Sequence, residues 1–390
     1  MRAGLGSKSG ERSLTSITPP GFCQWPVVDY GRLALRIDTF DYELPAERIA
    51  QHPVEPRDAA RLLVLGDDGF AHKTVADLPE LIPHGSLVVV NDTRVFPARL
   101  IGQKAKTGGK VEIFLLQVAG TRELTIDGET RQIEVWRALG KSSKPLRFGT
   151  DVTAGALTIH LIGRGEDGLL EVGLSAPANV SVHDAIHEAG RVPLPPYIHR
   201  DPDANDSERY QTVFARIEGA VAAPTAGLHL THALLGRLAL HECEVASVTL
   251  HVGLGTFQPV AVEDLDQHPM HSESFEISKA TADAIARARK RNAPVVAIGT
   301  TVVRALESAA GDDGLVTPVR DQTTLLIQPG YRFRVVDRLL TNFHLPKSTL
   351  LAMVCAFGGT SRVLEAYGVA VAEKYRFYSY GDAMLLSKKS

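Results

Sequence analysis

The chain has 390 residues, 44% hydrophobic and 22% charged, with a formal net charge of −3 at pH 7. That is an ordinary globular balance, long enough for two or three domains; it excludes a protein basic all over but leaves room for a local phosphate-binding patch. No window approaches eighteen uninterrupted apolar residues, and the cysteines (Cys23, Cys243, Cys355) stand far apart without a CxxC pair. A membrane span, a disulfide framework and a zinc or iron–sulfur site are therefore not expected, and cytoplasmic residence is.

Residues 1 to about 36 are rich in Gly, Ser, Thr and Pro, with Arg2, Lys8, Arg12, Arg32 and Arg36 against Glu11 and Asp29. Lacking the apolar segment of a secretory signal, this stretch reads as a disordered extension or a start placed too early. Order is expected from "RIDTFDYELPAERIAQHP", a strand-like piece and a brief helix ended by Pro53. "GSLVVVNDTRVFPARLIG" reads as a buried strand running into the polar turn Asn91-Asp92-Thr93-Arg94. From about Ala98 to Leu174, "KVEIFLLQV", "RQIEVWRAL", "LTIHLIG" and "LLEVGLS" alternate with Gly-rich turns, the spacing of a small antiparallel barrel or sandwich.

Beyond the connection "VPLPPYIHRDPDANDSERYQTVFAR" the pattern becomes strand–turn–helix. "LHLTHALLGRLALHE" predicts a helix, "VASVTLHV" a strand, "SKATADAIARARKRN" a helix, "PVVAIG" a strand and "TTVVRALESAAG" a helix closed by Gly311. "TTLLIQ" and "FRVVDRLLTNF" read as strands, "LPKSTLLAMVCAF" as a buried helix with Pro346 in its first turn, and "RVLEAYGVAVAEKY" as the last helix. The fold class expected is α/β: a large α/β domain formed by 37–97 and 178–390, with a small antiparallel β-barrel inserted at 98–177.

Four polar clusters stand out. Alternation along 245–252 puts Val248, Leu250 and Val252 on one face and Ser247, Thr249 and His251 on the other, and the strand runs into Gly253-Leu254-Gly255-Thr256. Those glycines allow a ligand close to the backbone, or make a plain turn; without a full GxGxxG they do not make a dinucleotide site. In "MHSESFEIS", His271 and Glu273 share a face with Phe275 and Ile277, and a carboxylate on an apolar face needs a partner or a task.

In "AIGTTVVRALES", Thr300 and Thr301 open a helix after a buried strand, which suits an anion but equally suits N-capping; Arg304 and Glu307, a turn apart, are able to pair. "APTAGLHLT" and "LTNFHLPKST" repeat the logic. His229 and His232 are spaced for chelation, but neither HExxH nor cysteine supports a metal, and none is expected. The tail "EKYRFYSYGDAML" interleaves aromatics with Lys374 and Arg376, as a base-stacking surface would and as a final strand with an inward aromatic face also would.

"RYQTVFAR", "VAAPTAGLHLT", "LHVGLGTFQPV", "MHSESFEIS", "IGTTVVRALES", "LLTNFHLPKSTLLAMVCAF" and "YRFYSYGDAML", with "VVVNDTRVFPARL" before them, resemble the S-adenosylmethionine:tRNA ribosyltransferase-isomerases in order from about Arg36 to the C-terminus. Departures are the leading extension, "GLHLT" where an aromatic more often follows the His, and "SESFE" where tyrosine is commoner. The resemblance implies an α/β fold with an inserted small β-barrel. The implied reaction belongs to queuosine biosynthesis. The ribosyl part of S-adenosylmethionine is transferred and isomerised onto the aminomethyl group of a 7-deazaguanine at the tRNA wobble position. Epoxyqueuosine is formed, and adenine and methionine leave.

Such chemistry needs a base for the sulfonium-acidified C5′–H, a proton for the departing adenine and a neutral amine, work suited to histidine. On that resemblance His251, His271, Glu273 and His344 are expected around the reacting ribose, with Glu273 as base or acid. Thr225, Gly227, His229, Gly253, Gly255, Thr256, Thr300, Thr301 and Asn342 are expected to hold S-adenosylmethionine, a co-substrate, with no metal or redox cofactor. Arg94, Lys347, Tyr375, Arg376 and Tyr378 are expected to meet the tRNA anticodon loop, the protein acting as a monomer off the membrane. The rival readings are an S-adenosylmethionine-dependent RNA methyltransferase, whose Gly-rich acidic loop is not found, and a non-catalytic tRNA-binding protein.

Overall fold

The computed structural model describes residues 35–66, 69–126, 128–165, 168–253 and 262–389. The expected extension lies outside them up to residue 34. Of the residues assigned to that extension, Leu35 is buried and its carbonyl accepts the Leu265 N–H at 3.0 Å, while Arg36 is exposed and forms a β-bridge with Asp264.

The strands are β1 (Arg61–Gly66), β2 (Gly69–Thr74), β3 (Leu87–Asn91), β4 (Thr93–Val95), β5 (Arg99–Lys104), β6 (Lys110–Ile126), β7 (Glu129–Ser142), β8 (Asp151–Ala154), β9 (Leu157–Arg164), β10 (Leu170–Ser175), β11 (Gly190–Arg191), β12 (Ile217–Ala220), β13 (Glu244–Leu250), β14 (Glu273–Ile277), β15 (Val295–Ile298), β16 (Val319–Thr323), β17 (Arg338–Asn342) and β18 (Ala383–Ser387). The helices are α1 (Leu78–Leu81), α2 (Val182–Ala189), α3 (Asp206–Arg209), α4 (His232–Leu240), α5 (Lys279–Lys290), α6 (Thr300–Ala309), α7 (Thr349–Gly358) and α8 (Thr360–Ala372).

A mixed sheet runs β16-β14-β13-β3-β15-β17-β18-β1-β2. Its centre, β13-β3-β15-β17, is parallel, and β3 is buried from end to end. That explains its unbroken "LVVV": a parallel strand covered on both faces has no polar side. Leu87 and Val89 meet α5 and α6 on one face, while Val88 and Val90 meet α4 on the other. A second sheet, all antiparallel, runs β11-β5-β6-β7-β10-β9-β8, and β8 also pairs back with β5 through Gln103 and Lys104. The short parallel pair β4–β12 lies where the two meet. The fold is thus mixed α/β with large sheets. Among the described residues no helix is long and apolar enough to cross a membrane.

Some local expectations are corrected. "LHLTHALLG" does not start one helix: Thr225–His229 is a 3-10 turn, and α4 begins at His232 after Thr231, whose hydroxyl accepts the Leu234 N–H at 3.0 Å. Pro346 precedes α7 rather than sitting in it, because Ser348 is the cap. "TTLLIQ" enters β16 only at Thr323, and the first ordered pieces are 3-10 turns at Ile37–Phe40, Ala46–Arg48 and Arg57–Ala59.

Candidate active site

β15 ends at Ile298, and Gly299 turns the chain into α6 with φ +98, a conformation a side chain resists. Because a glycine occupies the cap position, Thr300 and Thr301 are not caps. Both line a cleft with an empty volume, open solvent included, of about 710 Å³. Beside them β17 ends in Thr341 and Asn342, followed by Phe343, His344 and Ser348, which caps α7 by accepting the Leu351 N–H at 3.2 Å. Thr225, Tyr197, Tyr378 and Ser379 complete the polar wall. Two helix N-termini therefore border one space, where backbone N–H groups and helix dipoles favour an anion.

His344 Nε2 lies 2.8 Å from Thr341 Oγ1, and burial pulls its imidazole down to about 4. His229 is likewise pulled to about 4, by burial first and then by the Arg376 and Arg57 charges. Asn342 Nδ2 donates to His229 Nε2 at 3.2 Å and to the Tyr378 carbonyl at 2.9 Å. Its Oδ1, among the described residues, is buried without a partner. An orphaned acceptor costs about 1–3 kcal/mol, and this one belongs to a residue of the cleft wall.

Leu350 also borders a second cleft lined by His268, Met270, His271, Glu273 and Arg304. Here the carboxylate on the apolar strand face finds its partner. Arg304 Nη1 donates to Glu273 Oε2, both residues being buried, and the Gly253 N–H donates to Glu273 Oε1 at 3.0 Å. Arg304 does not pair with Glu307, which instead accepts the backbone N–H groups of Arg334, Val335 and Val336 at 2.8–3.0 Å. His271 lies ahead of β14 and is exposed, not on the buried face with Phe275 and Ile277.

His251 goes elsewhere. Its N–H donates to the Ser274 carbonyl, so it sits opposite Ser274 and on the face away from Glu273. The ring lies over Gly219, whose φ is +151 and where an added Cβ would stand 2.7 Å from Cε1; Nδ1 is 2.8 Å from Thr93 Oγ1. Burial lowers this imidazole, opposed by the nearby Asp92 charge. Asp92 is itself held by Thr249 at 2.6 Å and Arg216 at 2.7 Å. Of the four groups expected around one sugar, His344 lines the first cleft, Glu273 and His271 line the adjoining second, and His251 stands on the face away from Glu273.

Among the other expected ligands, Thr225, Thr300, Thr301 and Asn342 share the first cleft and His229 backs it through Asn342. Gly227 packs against Phe214 and Thr212, which would meet a Cβ at 2.9 Å, and Gly253 spends its N–H on Glu273. Gly255 and Thr256 lie outside the described residues. Of the expected RNA contacts, Arg94 is exposed, while Lys347, also exposed, clasps Asp38 at 2.9 Å and Asp41 at 3.1 Å. The aromatic tail packs inward, with Tyr378 also bordering the first cleft. Tyr375 is fully buried with the Arg61 guanidinium 3.7 Å over its ring, Tyr378 is buried, and Arg376 is tied to Asp382. Sequence reading missed Thr341, Ser348 and Ser379; only Ser348 carried a signal, a hydroxyl opening an apolar helix.

Residues 37–386 match the family model described as queuosine biosynthesis protein. The S-adenosylmethionine:tRNA ribosyltransferase-isomerase of Sorangium cellulosum (strain So ce56) is 57% identical over 368 residues, covering 90% of this chain and 98% of its own. The protein of the same name from Anaeromyxobacter dehalogenans (strain 2CP-C) is 51% identical over 357 residues, 91% of this chain and 100% of its own. The crystal structure of an S-adenosylmethionine tRNA ribosyltransferase from Thermotoga maritima is 34% identical, covers 89% of this chain and 99% of its own, and superposes with a TM-score of 0.49. By the extent of the match to the family model and to the Sorangium and Anaeromyxobacter proteins, the chain belongs to the queuosine biosynthesis protein family.

Proposed function

We propose that this chain is an S-adenosylmethionine:tRNA ribosyltransferase-isomerase and that the first cleft holds S-adenosylmethionine. The observation carrying the assignment of the cleft is the meeting of two helix N-termini, Asn342 and the half-buried, neutral His344 in one space. The backbone and hydroxyl groups of Thr300 and Thr301 suit the methionine carboxylate, and the Asn342 side chain suits the ribose or adenine. Thr341 Oγ1 donates to the Asn342 carbonyl at 3.3 Å and so accepts Nε2–H from His344, leaving Nδ1 as the base for the C5′ proton. At a value of about 4 this imidazole is unprotonated at neutral pH, so it takes a proton rather than supplying one.

His251, with Arg94 of the polar turn and Arg216 paired to Asp92 of that turn, is assigned to the approaching wobble nucleotide, and Glu273 to positioning Gly253 through its N–H. We further read residues 98–177 as a closed barrel, supported by the β5–β8 pairing, inserted into an α/β domain of 37–97 and 178–390. The assigned reaction uses no metal, and the enzyme is read as a cytoplasmic monomer. The test is to incubate the protein with S-adenosylmethionine and tRNA carrying the aminomethyl-deazaguanine and to quantify adenine. His344→Gln is expected to lose most turnover, and Asn342→Ala to raise KM for S-adenosylmethionine about tenfold. S-adenosylhomocysteine in place of adenine would favour a methyltransferase, and tRNA binding without adenine a non-catalytic module.

A further inference from the structure

We propose that His183, His187 and Glu218 bind a first-row divalent transition metal of the zinc class, at the junction of α2 and β12. The site is separate from both clefts and does not depend on the reaction assigned above.

The stretch "SVHDAIHEAG" builds half of it. Ser181 caps α2 by accepting the Asp184 N–H at 3.0 Å, and Ala185 and Ile186 bury the inner face among residues of the antiparallel sheet. Four residues apart on the outer face, His183 and His187 stand one above the other with ring centroids 4.5 Å apart. The third group arrives from β12. His183 Nε2 lies 3.0 Å from Glu218 Oε1 and His187 Nε2 lies 3.0 Å from Glu218 Oε2. One ligand atom from each residue falls within 4.8 Å of the others.

The spacing suits coordination. Two donors 3.0 Å apart, each about 2.1 Å from a metal, subtend about 91° at it, close to the angle between adjacent ligands of an octahedral face. Two imidazoles and a carboxylate are a borderline donor set, which takes Zn²⁺, Ni²⁺ or Co²⁺ ahead of the oxygen-seeking Mg²⁺ and Ca²⁺. The pair is absent where sequence spacing first suggested chelation: His229 is buried behind Asn342, and His232 opens α4, exposed. Glu218 is register-paired with Arg94 and precedes Gly219, on which His251 rests. A metal there would tie α2 to the strand that carries the His251 platform.

The experiment is calorimetric titration of the untagged, metal-stripped full chain with ZnCl₂, with MgCl₂ as control. One equivalent of Zn²⁺ is expected to bind saturably, and Mg²⁺ not. His183→Asn, His187→Asn and Glu218→Gln are each expected to weaken Zn²⁺ binding tenfold or more, with an unchanged circular dichroism spectrum because both histidines are exposed and Glu218 is only half-buried. Co²⁺ is expected to give a visible absorption band that the same variants lose. Zn²⁺ binding unaltered in all three variants, which would place the ion on other histidines, overturns the proposal, as does a wild-type chain that takes up no Zn²⁺.

Discussion

Arg304, on α6, and Glu273, at the start of β14, form an ion pair whose side chains are only 8% and 4% exposed. The guanidinium also reaches the Leu325 carbonyl at 3.3 Å and the Thr323 carbonyl at 3.4 Å. One buried pair thus fastens a helix, two strands and, through the Gly253 N–H, the exit of β13.

Removing one partner strands a buried charge, at a cost of about 3–5 kcal/mol. Glu273→Gln and Arg304→Met are each expected to lose that much in urea denaturation, and the double variant to recover part of it. Single variants within about 0.5 kcal/mol of the parent would show the pair to be solvated and unimportant.

Acid should weaken the fold through His229 and His344. Both bind a proton only near 4 when folded, against an ordinary 6.5 in the unfolded chain. Between those values the unfolded state takes up protons that the folded state refuses, so stability falls as pH drops through the window. The slope contributed by each group is at most about 1.4 kcal/mol per pH unit. Denaturation midpoints from pH 7 to 5 check this, and His344→Leu should flatten the profile. An identical slope in that variant would contradict the assignment.

Gly219→Ala tests the His251 platform. A Cβ at φ +151 is strained and would press on the imidazole at 2.7 Å. We expect a loss of about 1–3 kcal/mol of stability, a displaced His251 resonance in the NMR spectrum and a rise in KM for tRNA exceeding that for S-adenosylmethionine. Equal changes in both KM values would argue against a nucleotide-facing role.

For RNA, log affinity should fall with log salt by about 0.7 per phosphate contact. Arg94→Ala should lower that slope by about one contact, whereas Tyr375→Phe, altering a buried ring, should leave it unchanged. An unchanged slope in Arg94→Ala would remove that residue from the interface.

Local pattern carried far in this chain. Alternation along β13 placed Val248, Leu250 and Val252 inward and Ser247, Thr249 and His251 on the less buried side, as found. The helix signals located α5, α6 and α8, and the ordered run of distinctive segments identified the family. Periodicity works there because it reports which face of an element is apolar, a property of neighbours in sequence. It does not report what covers that face. Glu273 finds Arg304 across 31 residues, and His251 parts from Glu273 because the β13–β14 register sets it opposite Ser274. The tail aromatics are interior because β18 closes against β17 and β1, pairings between segments far apart in the chain. Sequence alone thus determined the elements and the kinship; tertiary structure decided which polar groups share a space, since register and packing join residues that no local spacing relates.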